Sequence, residues 1–423
     1  MSEHASGGRD WNQILGPGLL IAAAAIGASH LVQSTRAGAD FGFALVGLVI
    51  VANLAKYPFF EFGHRYGAAT GGLMLEGYRR LGVPVLALFL GISLCTMVRS
   101  LSALTFLTAA LARNLLGSDW STLVWAVIVI GLCNGVLLAG RYRVLDSVTK
   151  GIIGILGLCT IVAVAVALLD RGWPAPDPEA ASAFTMVHLT FLIALMGWMP
   201  APIELSVWPS IWMRQRARET GRSVAHRDAM LDFNVGYGAT IVLALAFLSL
   251  GAIMMYGTGN EIPAGSVAFA QTLVSLFTAS IGAWIGPLIA LAAFTCMFST
   301  TLTCLDGYPR SNAVATILLR HPEEPDRHPR LPLLYWAYNG LTVVLTLVII
   351  RFFVTSLTGI VDFVTTVAFL AAPILATLNL LVVRRVDLLP SHRPPRWLLG
   401  MAYAGLVFLY GMSGLHIWNV FIR

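Results

Sequence analysis

Apolar residues in this chain come in long runs broken by short polar segments, not in the three-to-four-residue alternation of a soluble helix. A membrane-spanning helix needs about 20 mostly apolar residues. Eleven runs approach or exceed that length. They lie near 14–35, 43–62, 84–112, 122–140, 151–169, 185–212, 231–256, 267–304, 332–353, 357–383 and 397–420. The pattern predicts an all-α membrane protein of eleven spans, forming a single polytopic domain over residues 1–423.

Two runs carry internal interruptions. The first contains Gly27-Ala28-Ser29-His30, and the sixth contains Met199-Pro200-Ala201-Pro202-Ile203-Glu204. Each proline removes a backbone donor and clashes with the preceding turn, so a continuous helix through Pro200 and Pro202 is not expected. Freed carbonyls are tolerated at membrane depth only where protein buries them or a cavity hydrates them. The interrupted spans are five apart, which points to an inverted repeat of five plus five helices around a central site. The expected repeats cover about 14–169 and 185–383, with an extra eleventh helix at about 397–420.

Composition agrees. Hydrophobic types make up 57% of the 423 residues and charged types only 11%, against about 25% charged in a soluble domain. The net charge of +6 is unevenly placed. With the N-terminus in the cytoplasm, the inner segments hold twenty of the 27 Lys and Arg. Among them are Arg65, Arg79 and Arg80, the cluster from Arg214 to Arg227, and Arg384, Arg385, Arg393 and Arg396. The outer segments hold Arg113, Arg171, Arg351 and Arg423. This bias predicts a cytoplasmic N-terminus and an external C-terminus in the inner (plasma) membrane. Basic residues confined to short loops give no reason to expect nucleic acid. The outer segment Asp170–Glu179 is proline-rich, and no loop is large enough for a separate enzyme. The first run shows no signal-peptide cleavage site. All five cysteines fall in apolar runs without metal-ligand spacing.

Several stretches resemble the Nramp family of divalent-metal transporters, which share the LeuT-type fold. They are Leu15-Gly16-Pro17-Gly18, the segment Gln33 to Phe43, Ala52-Asn53-Leu54, Tyr66-Gly67-Ala68-Ala69-Thr70-Gly71, and Met199-Pro200. The resemblance is best over residues 15–80 and 190–212. It implies a LeuT-type inverted repeat and metal transport coupled to protons. It also exposes departures. Where the family carries Asp-Pro-Gly-Asn with metal-binding Asp and Asn, this chain has Gly27 and His30. The family's His after Met-Pro is Ala201, a tenth-span Gln is replaced by Ala371, and the third span carries Arg99 in place of acids. Met199 keeps the thioether position.

Ionisable groups inside a membrane are functional candidates by default. The expected substrate-binding set is Gly27, Ala28, Ser29, His30, Met199, Ala201 and Glu204. His30, Met199 and Glu204 are the candidate metal ligands, since imidazole, thioether and carboxylate suit a transition ion. His30 and Glu204 are the proton-coupling candidates. Gln33 and Ser34 are expected to line an outer vestibule, and Arg36 to pair with Asp40 on the surface. Asp362 is expected at the outer end of the tenth span, as a gate or a helix-end charge. Lys56 and Glu61 are expected to pair with other spans.

The function expected is secondary active transport of a divalent cation, coupled to protons, with no cofactor and no enzymatic activity. The alternative is the same fold carrying magnesium or a small organic solute through a site enlarged by Gly27, Ala28, Ser29 and Ala201. No phosphate loop, nucleophile elbow or zinc-protease motif is present, and paired broken helices suit a gated site better than an open pore. The expected partners are the lipid bilayer, the transported cation or small solute, and protons.

Overall fold

The computed structural model describes residues 17–140, 142–172, 183–221, 224–259, 261–322, 325–386 and 388–421. Residues 14–16 of the first predicted run, Arg9, Arg141, Arg222, Arg423 and the prolines of the 170–179 segment lie outside them.

The first span is two helices, α1 (Pro17–Ala25) and α2 (Thr35–Phe41), joined by a π-helical turn over Ser29–Ser34. Then come α3 (Val46–Thr70), a short α4 (Met74–Leu81), α5 (Val83–Leu115), α6 (Thr122–Leu138) and α7 (Tyr142–Arg171). The sixth span is again split, into α8 (Leu189–Gly197) and α9 (Trp208–Thr220), with a short 3₁₀ turn at Ile203–Val207. There follow α10 (His226–Met254), α11 (Ser266–Ile281), α12 (Gly286–Arg320), α13 (Leu331–Phe352), α14 (Leu357–Arg385) and α15 (Arg396–Phe421). Local chemistry sets several starts. Ser121 and Ser356 cap α6 and α14 by accepting from the backbone N–H of Val124 and Gly359. Proline occupies the first turn of α5, α9, α12 and α13, where its missing donor costs nothing.

Among the described residues, eight helices are long and apolar enough to cross a membrane. The two split spans and the 17-residue α6 complete the predicted eleven. Large apolar side chains such as Leu88, Leu132, Leu158, Val344 and Val407 point outward, as expected of a bundle bathed in lipid.

One predicted span is corrected. The run 267–304 is not a single helix. It divides into α11 and α12 around Gly282, whose φ of 128° no other residue adopts easily. Helix directions show that α11 does not cross. Tyr237 donates to the Asn53 carbonyl at 2.7 Å and Tyr57 to Asn234 at 2.6 Å, so α10 runs antiparallel to α3. Trp208 lies edge-on to Tyr308, and farther along both elements reach α4, where Arg79 donates to the Leu318 carbonyl and Arg214 pairs with Glu76, so α12 runs parallel to the sixth span. That span in turn follows α3, where a Cβ on Gly63 would meet the Ser206 carbonyl and one on Gly67 would meet Ser210. Opposed α10 and α12 must be joined at one end of the bundle. The 16-residue α11 lies there, burying one face made of Ser266, Phe269, Ala270, Leu273, Leu276 and Phe277.

Candidate transport site

Each predicted interruption is a real break. The first falls at Ile26–Gly27, just before the π-helical turn, and the second covers Trp198–Pro202. They face each other across a buried cavity. Ala24, Ala25, Gly27, Ala28 and Ser29 line it from the first span, and Trp198, Pro200, Ala201, Pro202 and Leu205 from the sixth. Ser100 and Leu104 of α5 and Thr300, Cys304 and Tyr308 of α12 close the ring. Room for molecular centres is about 20 Å³, enough for a water molecule or two. No lining side chain is acidic, basic or imidazole.

A broken helix leaves carbonyls that cost about 1–3 kcal/mol each if buried unpaired. Two different devices satisfy them. At the first break the Thr300 hydroxyl lies 3.0 Å from both the Ala23 and Ile26 carbonyls, and the Cys296 thiol donates to Ile26 at 3.2 Å. A Cβ on Gly27 would sit 2.9 Å from the Thr300 methyl, so this close approach needs glycine. At the second break the Lys56 ammonium, fully buried in the middle of α3, donates to the carbonyls of Met196 and Gly197 at 2.7 Å and of Ala201 at 3.3 Å.

The seven predicted site residues divide. Gly27, Ala28, Ser29 and Ala201 line the cavity. His30, Met199 and Glu204 are buried but are not among the lining side chains. The His30 ring is held at both nitrogens, with Nδ1 2.7 Å from the Ser29 hydroxyl and Nε2 2.9 Å from the Thr240 carbonyl of α10. Glu204 accepts from Tyr308 at 3.3 Å through Oε1, while Oε2 has no hydrogen-bond partner. Its neighbour Thr96 already donates to its own helix. Among the described residues no group of three His, Cys, Asp or Glu side chains converges as a metal site would require.

Away from the cavity, Arg36 pairs not with Asp40, which is exposed, but with Asp362 of α14 at 2.7 Å. Gln33 does not open a vestibule. It donates to Asp362 at 2.9 Å and accepts from Arg36 at 3.1 Å. Glu61 pairs with Arg65 one turn along its own helix, not with another span, and Arg65 also donates to the His392 carbonyl at 2.8 Å. Asn379 of α14 ties the region together by donating to Phe59 at 3.0 Å and to Ser206 at 2.8 Å, and by accepting from Tyr78. Sequence reasoning missed Asn379 and the partners of Lys56. The only available signal was a lysine inside the apolar run of the second span.

Two opposed broken spans, one from each five-helix half, with an eleventh helix outside the repeat, define a LeuT-type fold. Solved structures share it. The manganese transporter of Eremococcus coleocola, bound to an aromatic bis-isothiourea compound, superposes with a TM-score of 0.69 at 14% identity, over 99% of this chain and 88% of that one. MhsT in complex with L-phenylalanine gives 0.66 at 13% identity, over 96% and 98%. The chain belongs to the Nramp family, described as natural resistance-associated macrophage protein-like, whose profile matches residues 18–419. It is 35% identical over 407 residues to the uncharacterized protein PM0681 of Pasteurella multocida, covering 95% of this chain and 91% of that one. It is 26% identical over 313 residues to the divalent metal cation transporter MntH of Ralstonia nicotianae, covering 69% and 67%.

Proposed function

We propose that this protein is a secondary active transporter that moves a divalent metal cation through the cavity between its two helix breaks, coupled to protons. The observation that carries the reading is the cavity itself, enclosed by both breaks and by α5 and α12. A site shared by two halves of opposite topology opens to either face as one half rocks against the other. The MntH relatives supply the cargo class. The two repeats are taken as about 14–169 and 185–383. The arginine-rich end, with Arg65, Arg79 and Arg214, is the cytoplasmic one, which puts the N-terminus inside and the C-terminus outside the plasma membrane.

His30, Met199 and Glu204 remain the proposed metal ligands, with His30 and Glu204 the proposed proton carriers. To ligate an ion, His30 must release the Thr240 carbonyl, and Glu204 must turn from Tyr308. Ser29, Thr300 and Tyr308 hydroxyls complete the coordination.

A second reading has its own observation. The cavity lining is apolar and hydroxylic apart from the Cys304 thiol, with no carboxylate, amine, guanidinium or imidazole, which suits a neutral solute better than a dehydrated dication. Uptake into proteoliposomes decides between them. Manganese, iron, zinc and magnesium ions are offered with an inward proton gradient, beside a panel of small organic solutes. Saturable metal uptake that collapses when the gradient is removed supports the metal reading. Uptake of an organic solute with no response to any metal overturns it.

A further inference from the structure

Lys56 is an unusual occupant of a membrane interior. It lies midway along α3, has no solvent exposure, and cannot extend its ammonium to a membrane surface. Intramembrane lysines ordinarily pair with an acid or with backbone carbonyls. Here the ammonium nitrogen lies 2.7 Å from the Met196 carbonyl, 2.7 Å from that of Gly197 and 3.3 Å from that of Ala201, with the Glu204 carboxylate near enough to act on it through space but not hydrogen-bonded to it. Three carbonyl oxygens converging from a helix end and the unwound segment after it form the kind of cradle that proteins use for a bare monovalent cation. The end of α8 carries the negative pole of its helix, which strengthens the cradle. On its far side α14 presses close, since a Cβ on Gly197 would fall 1.9 Å from the Thr365 carbonyl. The cradle is therefore formed by backbone packed from two sides and filled from the third helix.

We propose that Lys56 is a tethered cation that occupies a monovalent-cation site at the sixth-span break. It holds the unwound segment in shape without any exchangeable ion. The first break has no such charge, because the Thr300 hydroxyl and Cys296 thiol cover its carbonyls. The two breaks are thus unequal. One is held by neutral donors, and the other by a fixed charge that touches Ala201, a residue lining the cavity. Lys56 is a positioning residue in this scheme and does not contact cargo. The inference holds whether the cargo is a metal or an organic solute.

Removing the tether should leave an empty cradle that accepts a free cation. The test is the thermal unfolding of purified Lys56→Ala in detergent, titrated with ammonium, methylammonium, sodium and tetramethylammonium chlorides. The variant should unfold about 5 °C or more below the wild type at equal ionic strength. Ammonium or methylammonium should restore most of that loss in a saturable manner, and tetramethylammonium, which has no N–H, should not. The wild type should show no such saturable gain. If Lys56→Ala cannot be purified, Lys56→Ser, which leaves the cradle open, serves in the same titration, and Lys56→Met, which refills the cleft without the charge, is the stability control. Lys56→Arg should not substitute, because a planar guanidinium cannot converge on three carbonyls as an ammonium does. A variant that no small cation stabilises more than tetramethylammonium does overturns the proposal, as does a Lys56→Met protein as stable as wild type. Because the readout is unfolding, it stands or falls separately from any transport result.

Discussion

Arg36 and Asp362 meet at 2.7 Å, joining α2, the second half of the first span, to the start of α14. The contact is half-buried and reinforced. Gln33 bridges both side chains, and the Arg36 guanidinium lies 4.9 Å from the Phe191 ring of α8. The two broken spans and α14 are therefore clasped at the end opposite the arginine-rich loops. A partly buried ion pair with an added amide is worth more than an exposed pair, because solvent screens it less.

Asp362→Asn should loosen this clasp. Cys304 lines the cavity and is buried, so its alkylation reports access. In vesicles treated from the clasped side, Cys304 in Asp362→Asn should react at least about five-fold faster than in wild type, read by peptide mass spectrometry. This corresponds to about 1 kcal/mol in the opening equilibrium. The exchange Arg36→Asp with Asp362→Arg should recover part of the protection. Equal rates in wild type and Asp362→Asn would show that the pair does not hold this end shut.

Gly197 has no room for a side chain. The added methyl carbon would lie 1.9 Å from the Thr365 carbonyl oxygen, and that oxygen belongs to a rigid helix. Gly197→Ala must push α8 and α14 apart, at a cost of about 3 kcal/mol or more. It should lower the unfolding temperature and also displace a carbonyl that Lys56 binds. Gly91→Ala is the control. Nothing lies within 4 Å of its added carbon, and alanine favours helix by about 0.5–1 kcal/mol. Its unfolding temperature should equal or exceed that of wild type.

The breaks were legible in the sequence because glycine and proline act locally. Pro200 and Pro202 forbid a helix wherever the chain is placed, and Gly27 marks a point where another element comes close. The division between α11 and α12 was not legible. Both are apolar, and the joint at Gly282-Ala283-Trp284-Ile285 carries no charge to interrupt the hydropathy. Side-chain partners were harder still. Lys56 meets Met196, 140 positions away, and Arg36 meets Asp362, 326 positions away. A nearby acid such as Asp40 is the natural guess from sequence, because only local pairs can be read from spacing. The four small lining residues followed from the breaks alone. The placement of His30, Met199 and Glu204 behind the lining depends on which way each side chain turns, and composition carries no signal of that.

Glu204 tests the carboxylate. It is the one acid at either break, and its Oε2 has no donor. Glu204→Gln keeps the shape and removes the charge. It should elute and unfold as the wild type does while metal uptake falls at least about ten-fold, a loss of about 1.4 kcal/mol or more. Tyr308→Phe, which removes the phenol donor to Oε1, should have a smaller effect in the same direction. Normal metal uptake by a folded Glu204→Gln protein would remove this residue from the cation path.

His30 tests the proton. The Thr240 carbonyl can only accept, so Nε2 must carry a hydrogen. The state of Nδ1 is then coupled to Ser29, whose hydroxyl lies 2.7 Å from Nδ1 and 2.8 Å from the Ala25 carbonyl. With a neutral ring, Ser29 donates to Nδ1, and its oxygen lone pairs are free to face the cavity. With a protonated ring, Nδ1–H donates to Ser29, which takes up one lone pair and turns the serine proton to Ala25. Acid thus weakens Ser29 as a ligand for a cation. His30→Ala and Ser29→Ala each break the relay at a different atom. Both should flatten the acid limb of the pH dependence of uptake, measured from pH 7 down to pH 4 in proteoliposomes with equal pH on the two faces, because burial without an acid partner disfavours the charged ring. Wild type should show a clear decline toward acid. A pH profile left unchanged by His30→Ala in a folded protein would sink the relay and return the proton to Glu204 alone.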